Sequence, residues 1–182
     1  MSFSFFKTTG RQSLEHSSSA VGWVLKVRGQ SLPLFIKELA SLFPKENILE
    51  LDGSSIAPDI LEYLKQFPVL DWQERTEYSI FRRPWKKTER IPAAFRIPLE
   101  PEIMRRLAQF YENHAQPEVL DHLYVLDTSG KELYLDGFGL CGGSGKAYVS
   151  NKVPESTLKE FCEKTRCSYR PITPSSQMKE AG

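Results

Sequence analysis

Apolar side chains follow regular patterns through most of the chain. Alternating apolar positions at residues 21–27 and a short apolar run at 47–51 predict strands. Helical spacing predicts helices near 33–43, 58–67, 101–114 and 154–165. The apolar stripes of the first, third and fourth helices comprise Leu32, Phe35, Ile36, Leu39, Leu42, Phe43, Ile103, Met104, Leu107, Phe110, Tyr111, Leu158, Phe161, Cys162 and Thr165. Because strands and helices alternate in the amino-terminal half, we predict parallel crossover connections there.

The carboxy-terminal half has the pattern of an antiparallel meander. Strands are predicted at 120–126, 132–136 and 147–150, with a turn at 127–130 and with Leu133 and Leu135 facing one way. Between the halves, prolines interrupt 68–99, and short edge strands are predicted near 78–80 and at 94–97 because proline favours sheet edges. The predicted fold is therefore α/β: a mixed sheet with parallel crossovers in the first half, an antiparallel meander in the second, and about four flanking helices.

Length and composition indicate one folded domain. A chain of 182 residues is within the usual size of a domain. Polar composition predicts a flexible arm at 1–20 and a disordered tail at 171–182, which leaves the domain at 21–170. The net charge of +1 gives no general attraction to nucleic acid. No signal peptide or long apolar run is recognisable, so we expect a cytoplasmic protein that does not enter a membrane.

The glycine-rich segment 139–146, Gly-Leu-Cys-Gly-Gly-Ser-Gly-Lys, is a candidate anion site. It departs from the phosphate-binding pattern GxxxxGK[ST], since its glycines are one residue too far apart and a strand rather than a helix is predicted to follow. Two interpretations stay open: a hairpin loop whose glycines permit positive φ, or an anion-binding nest of backbone amides. The nest would use Gly142, Gly143, Gly145 and Lys146.

Residues 114–122 hold the candidate ligands and acid–base groups. His114, Glu118, Asp121 and His122 are side chains of the types that bind transition metals, but their spacing matches no helical metal motif. Cys141 is a candidate nucleophile that would use one of these histidines as its base. The alternative is structural, with His114 at a helix end and the acids in solvent or paired with arginines.

A basic, aromatic segment at 78–90 is the candidate binding surface. It contains Tyr78, Phe81, Arg82, Arg83, Trp85, Lys86 and Lys87. Such residues are enriched at protein interfaces, and they also grip single-stranded nucleic acid. A third interpretation is internal: residues 45–77 carry eight acidic and three basic side chains, whereas residues 82–96 carry six basic and one acidic. The two blocks could neutralise each other.

From these patterns we predict a non-catalytic module that binds a protein partner or its own copy, with no cofactor. The interface would lie in the aromatic segment around Trp72 and Trp85. The alternative is a metal-dependent or acid–base enzyme that uses His114, Glu118 and His122 beside the glycine-rich loop. Nucleic acid is the least expected partner, through residues 78–90.

Overall fold

A computed structural model describes residues 22–43, 46–52, 62–76, 90–113, 122–137, 140 and 145–172, with backbone alone at 52, 71–76 and 90–94. The strands are β1 (Gly22–Lys26), β2 (Ile48–Asp52), β3 (Asp71–Thr76), β4 (Arg90–Pro98), β5 (His122–Leu126), β6 (Leu133–Asp136), β7 (Lys146–Ser150) and β8 (Ser168–Pro171). The helices are α1 (Leu32–Leu42), α2 (Pro101–Asn113) and α3 (Glu155–Thr165), and one further helical turn lies at 62–64. Within these ranges, no helix has the length and apolar character needed to cross a bilayer.

The eight described strands form one sheet in the order β3-β4-β2-β5-β6-β7-β1-β8. Every neighbouring pair is antiparallel, so the predicted parallel crossovers are wrong. The physical reason is the position of the meander. The strands β1 and β2, which α1 connects, do run in the same direction, but β5, β6 and β7 lie between them and supply antiparallel neighbours to both.

The same chain path occurs twice in this sheet. An inner group runs β2, the turn at 62–64, β3, β4, α2 and β5, and its strands lie in the order β3-β4-β2-β5. An outer group runs β1, α1, β6, β7, α3 and β8, and its strands lie in the corresponding order β6-β7-β1-β8. Each is a β-α-β-β-α-β arrangement in which helix-linked strands enclose another strand. The inner group is inserted into the outer group between α1 and β6.

The three helices and one face of the sheet share a single core. Val149, Leu135, Val125, Leu49 and Ile97 are successive partners across five strands, and all are buried. They join the helix stripes in one hydrophobic cluster, which confirms the stripes predicted for α1 and α3. The helix α1 packs against both α2 and α3. We call this side of the sheet the helix face and the other side the open face.

The strand β4 differs from its prediction as an edge strand. It lies between β3 and β2, so it is interior. Its two prolines are tolerated because Pro98 ends the strand and because Pro92 pairs with Glu74 beside a register shift, where the ladder is already irregular. Among the described strands, the edges are β3 and β8, and neither was predicted as a strand.

A bulge in β6 corrects a second expectation. The register with β5 shifts so that Leu135 pairs with Val125 and Leu133 pairs with Leu126, which leaves Tyr134 as an extra residue. Adjacent positions of β5 point to opposite faces, so Leu133 and Leu135 do too, contrary to the prediction that they face one way. The bulge also explains why Tyr134 packs against the core, with its ring 6.3 Å from that of Phe43.

Candidate functional site

A row of polar side chains crosses the open face. Tyr148, Asp136, Tyr124, Glu50 and Arg96 are successive partners on β7, β6, β5, β2 and β4. They are one position out of step with the apolar row of the core, so they lie on the other face of the sheet. Since neighbouring strands are about 4.8 Å apart, this polar row extends for roughly 19 Å.

The polar row is buried although it lies away from the main core. The exposed fraction is 2% for Asp136, 7% for Glu50 and 9% for Tyr148. Leu126 and Val24, also on the open face, are buried and belong to no part of the main core cluster. The open face therefore holds a second, smaller buried layer, in which charged groups must be paired or hydrogen-bonded.

An ion pair closes one end of the polar row. The Arg96 Nε donates a hydrogen bond to the Glu50 Oε2 at 2.8 Å. The guanidinium reaches the turn between β5 and β6, because a Cβ placed on Gly130 would lie 3.1 Å from the Arg96 Nη1. Glu50 belongs to the acidic block of the sequence and Arg96 to the basic block. The pair therefore supports, at one point, the interpretation that the acidic and basic blocks of the chain neutralise each other.

The turn beside this ion pair is organised by Asp127. Its carboxylate accepts hydrogen bonds from the Ser129 hydroxyl at 2.6 Å and from the backbone N–H groups of Lys131 and Glu132 at 2.8 and 2.9 Å. These bonds, that of Ser129 above all, lower the pKa of Asp127 to about 2. The carboxylate is engaged by its own turn, which makes its role structural.

His122 is the one member of the predicted metal and acid–base cluster whose position is described. It begins β5, pairs with Asp52 across the strands, and lies on the open face with its ring 6.2 Å from that of Tyr124. His114, Glu118, Asp121 and Cys141 fall outside the described residues. In the part of the chain that the structure covers, no three His, Cys, Asp or Glu side chains are grouped to hold a metal.

Two of the four residues predicted for the anion nest are described, and both have structural positions. Gly145 adopts φ +63°, and its carbonyl accepts a hydrogen bond from the Val27 N–H at 2.7 Å. A Cβ at this position would lie 2.4 Å from the Val27 carbonyl oxygen, so only glycine fits. Lys146 is exposed and begins β7 opposite Lys26. Gly142 and Gly143 lie outside the described residues.

The predicted binding segment is described only at its flanks. Tyr78, Phe81, Arg82, Arg83, Trp85, Lys86 and Lys87 all fall outside the described residues. The flanks are β3 and β4, which pair with each other at one edge of the sheet. The residue opposite Trp72 on β4 is Phe95, a core residue, so the register places position 72 in a row of the helix face.

An apolar surface accompanies the β3 edge. Leu70 and Val69 are 56% and 36% exposed, and they are the large hydrophobic side chains that stand out as exposed among the described residues. The Leu70 N–H donates a hydrogen bond to the Arg96 carbonyl at 2.7 Å, which fixes this segment at the start of β3. Within the described ranges, β3 pairs with β4 alone. We call Val69, Leu70 and β3 the β3 edge.

Sequence reasoning missed both the polar row and the β3 edge. A signal for the row was present, since Glu50, Arg96 and Tyr124 each stand between two apolar residues of a strand. Alternation of this kind is typical of a strand whose polar side faces water, so it gave no indication that these side chains are buried. The β3 sequence, Asp-Trp-Gln-Glu-Arg-Thr, has too few apolar residues to indicate a strand.

No protein-family model matches this chain, and neither a curated protein nor a solved structure does so.

Proposed function

We propose that the protein is a non-catalytic binding module that engages a protein partner through the β3 edge. The observation that carries this proposal is the exposure of Leu70 and Val69 directly beside an edge strand. Single exposed apolar residues are common and need no explanation. Strand addition requires a strand edge and an apolar contact. Val69 and Leu70 supply the apolar contact, and among the described strands β3 has a neighbour on one side alone.

The sequence that continues from β3 supports the same function. The predicted binding segment 78–87 follows β3 directly and is rich in tyrosine, tryptophan and arginine, the residue types enriched at interface hot spots. The proposal thus joins the exposed residues of the structure to the surface predicted from composition.

Substitution of Leu70 tests the proposal. Wild-type protein and Leu70→Asn are immobilised, and the proteins each retains from an extract of the source cells are quantified by mass spectrometry. Arg170→Asn is the control, since this exposed residue lies on β8 at the opposite edge. We expect Leu70→Asn to lose partners that wild type and control retain. Its stability should stay within about 0.5 kcal/mol of wild type, as is usual for surface substitutions.

Equal retention by all three proteins would contradict a binding role for the β3 edge. A thermal midpoint far below that of wild type would show that Leu70 is part of the core packing, and the proposal would fail on that ground as well.

A second candidate is an acid–base or metal-dependent enzyme on the open face. The observation in its favour is that His122 shares this face with Tyr124 and the buried Asp136. A histidine near a buried carboxylate is a common acid–base arrangement. The test is metal content by elemental mass spectrometry for wild type and His122→Ala. Equal content, together with an unchanged set of co-purified small molecules, would remove this candidate.

A further inference from the structure

We infer that the β3 edge pairs with the β3 edge of a second copy of this chain, in an antiparallel register centred on Gln73. This inference rests on the proposed function of the β3 edge and names its partner. Two eight-stranded sheets would become one continuous sheet, with the helices of both copies on the same side.

The two edges of the sheet differ in their fitness for strand addition. The strand β8 has four residues and ends at Pro171, which has no N–H to donate. Short edge strands and proline are features that protect an edge from pairing. The strand β3 has six residues and no proline. Strand addition is therefore favoured at β3.

Symmetry restricts the registers that two identical strands can adopt. Opposed pairs in an antiparallel ladder alternate between hydrogen-bonded and non-hydrogen-bonded types. If Gln73 faced Glu74 of the second copy, symmetry would also place Glu74 opposite Gln73 of the second copy. These two pairs would be neighbours in the ladder, so one would be hydrogen-bonded and the other would not. Two pairs that are related by symmetry must be of the same type, so this register is excluded. The symmetric ladder must therefore be centred on one residue that faces the same residue of the second copy. The residues nearest the middle of β3 are Gln73 and Glu74.

Charge decides between these two centres. Centring on Glu74 would place this acid directly opposite its own copy, which is destabilising. Centring on Gln73 places a neutral amide at the axis and sets Asp71 opposite Arg75 of the second copy. Symmetry produces that acid–base pair twice. The β3 sequence is thus charge-complementary to itself in one symmetric register and not in the other.

The same register accounts for the exposed leucine. It places Leu70 opposite Thr76 of the second copy, so the side chain that is 56% exposed in the single chain would be covered. A ladder of about six residues is small beside typical stable interfaces. We expect a reversible dimer with a dissociation constant on the order of 10 µM.

Charge reversal tests the register. Asp71→Arg and Arg75→Asp each convert two acid–base pairs into two like-charge pairs, so each should weaken the dimer about tenfold. The double variant exchanges the charges and should recover most of the lost affinity. Sedimentation equilibrium over a concentration series gives the dissociation constants. Thermal midpoints verify that each variant is folded, since position 71 is also the ladder partner of Arg96 within the chain.

Cysteine cross-linking tests the register while Asp71 and Arg75 keep their charges. Gln73→Cys places two thiols directly opposite each other at the axis, within reach of a disulfide. Glutathione disulfide is the oxidant: it is reduced to two glutathione molecules as the two thiols become one intermolecular bond. Covalent dimers from Gln73→Cys, absent with wild type and Glu74→Cys, support the inference. Covalent dimers from Glu74→Cys instead would overturn the register.

The two proposals fail in different ways. Protein that sediments as a monomer up to about 1 mM, a hundred times the expected constant, would overturn the second copy as partner. The proposed function would still stand if Leu70→Asn loses another protein in the retention assay. If Leu70→Asn changes neither retention nor sedimentation, the proposed function itself fails, whatever the oligomeric state.

Discussion

Substitution of Gly145 by alanine is the perturbation whose effect follows most directly from the geometry. Gly145 stands where the glycine-rich loop enters β7, in the left-handed region at φ +63°. A Cβ there would lie 2.4 Å from the Val27 carbonyl oxygen, a separation that real Cβ atoms do not show. Either the backbone shifts or the hydrogen bond from the Val27 N–H to the Gly145 carbonyl is lost.

The expected cost has three contributions. A non-glycine residue in the left-handed region costs about 1 to 2 kcal/mol. Loss of one backbone hydrogen bond removes about 1 kcal/mol more. Alanine also restricts the unfolded chain, which offsets about 0.5 kcal/mol. The net destabilisation is about 2 kcal/mol, and for a chain of this length it corresponds to a fall in Tm of about 4 to 8 °C.

The measurement is thermal unfolding followed by circular dichroism, with Gly29→Ala as the matched control. Gly29 has open space around the position of its Cβ, and its φ is not in the left-handed region. Gly29→Ala should therefore leave Tm within about 2 °C of wild type. If Gly145→Ala and Gly29→Ala have the same Tm, the close approach of position 145 to Val27 does not restrict that position to glycine. Gly145 would then have no structural explanation, and the anion nest would become the better interpretation of the loop.

Three further predictions concern charged and ionisable groups. Arg96→Ala leaves the buried Glu50 carboxylate without its ion pair and should cost about 3 kcal/mol in chemical denaturation; adding Glu50→Gln should recover part of this loss. The folded-state pKa of Asp127, about 2, is below its ordinary value of 3.8, so its contribution to stability is complete above that value and is lost as pH falls towards 2. NMR titration of wild type and Ser129→Ala should show the pKa rising in the variant. Burial raises the pKa of the Cys162 thiol to about 12, so a disulfide reagent at pH 8 should modify it only after unfolding.

The helices were predictable because their signal is local. Positions such as Phe35, Leu39 and Phe161 recur at helical spacing, and the requirement to bury one stripe is the same in any fold. The meander was predictable for a similar reason, since the turn at 127–130 connects strands that are adjacent in sequence.

The order of the strands could not be predicted from local patterns. The segment from β1 through α1 to β2 has the appearance of a simple crossover, and nothing in its residues indicates that three later strands occupy the gap. The role of Pro92 was misjudged because a register shift, which depends on the pairing with β3, allows it inside the sheet.

The polar row on the open face could not be predicted from local patterns either. That Glu50 and Asp136 share one row depends on the strand order, and their burial depends on what lies over the sheet. His122 was identified correctly as a strand residue, but its described neighbours are a tyrosine and the polar row rather than a second histidine.

The insertion of the inner group into the outer group has a consequence for the order of assembly during synthesis. The inner group is contiguous, so β2 to β5 can pair as soon as they leave the ribosome. The strand β1 is made first, yet both of its neighbours, β7 and β8, are made last. The helix α1 can dock earlier, through its packing on α2. The strand β1 must therefore wait until β7 and β8 have been made, and its pairing is expected to be the slow step of folding.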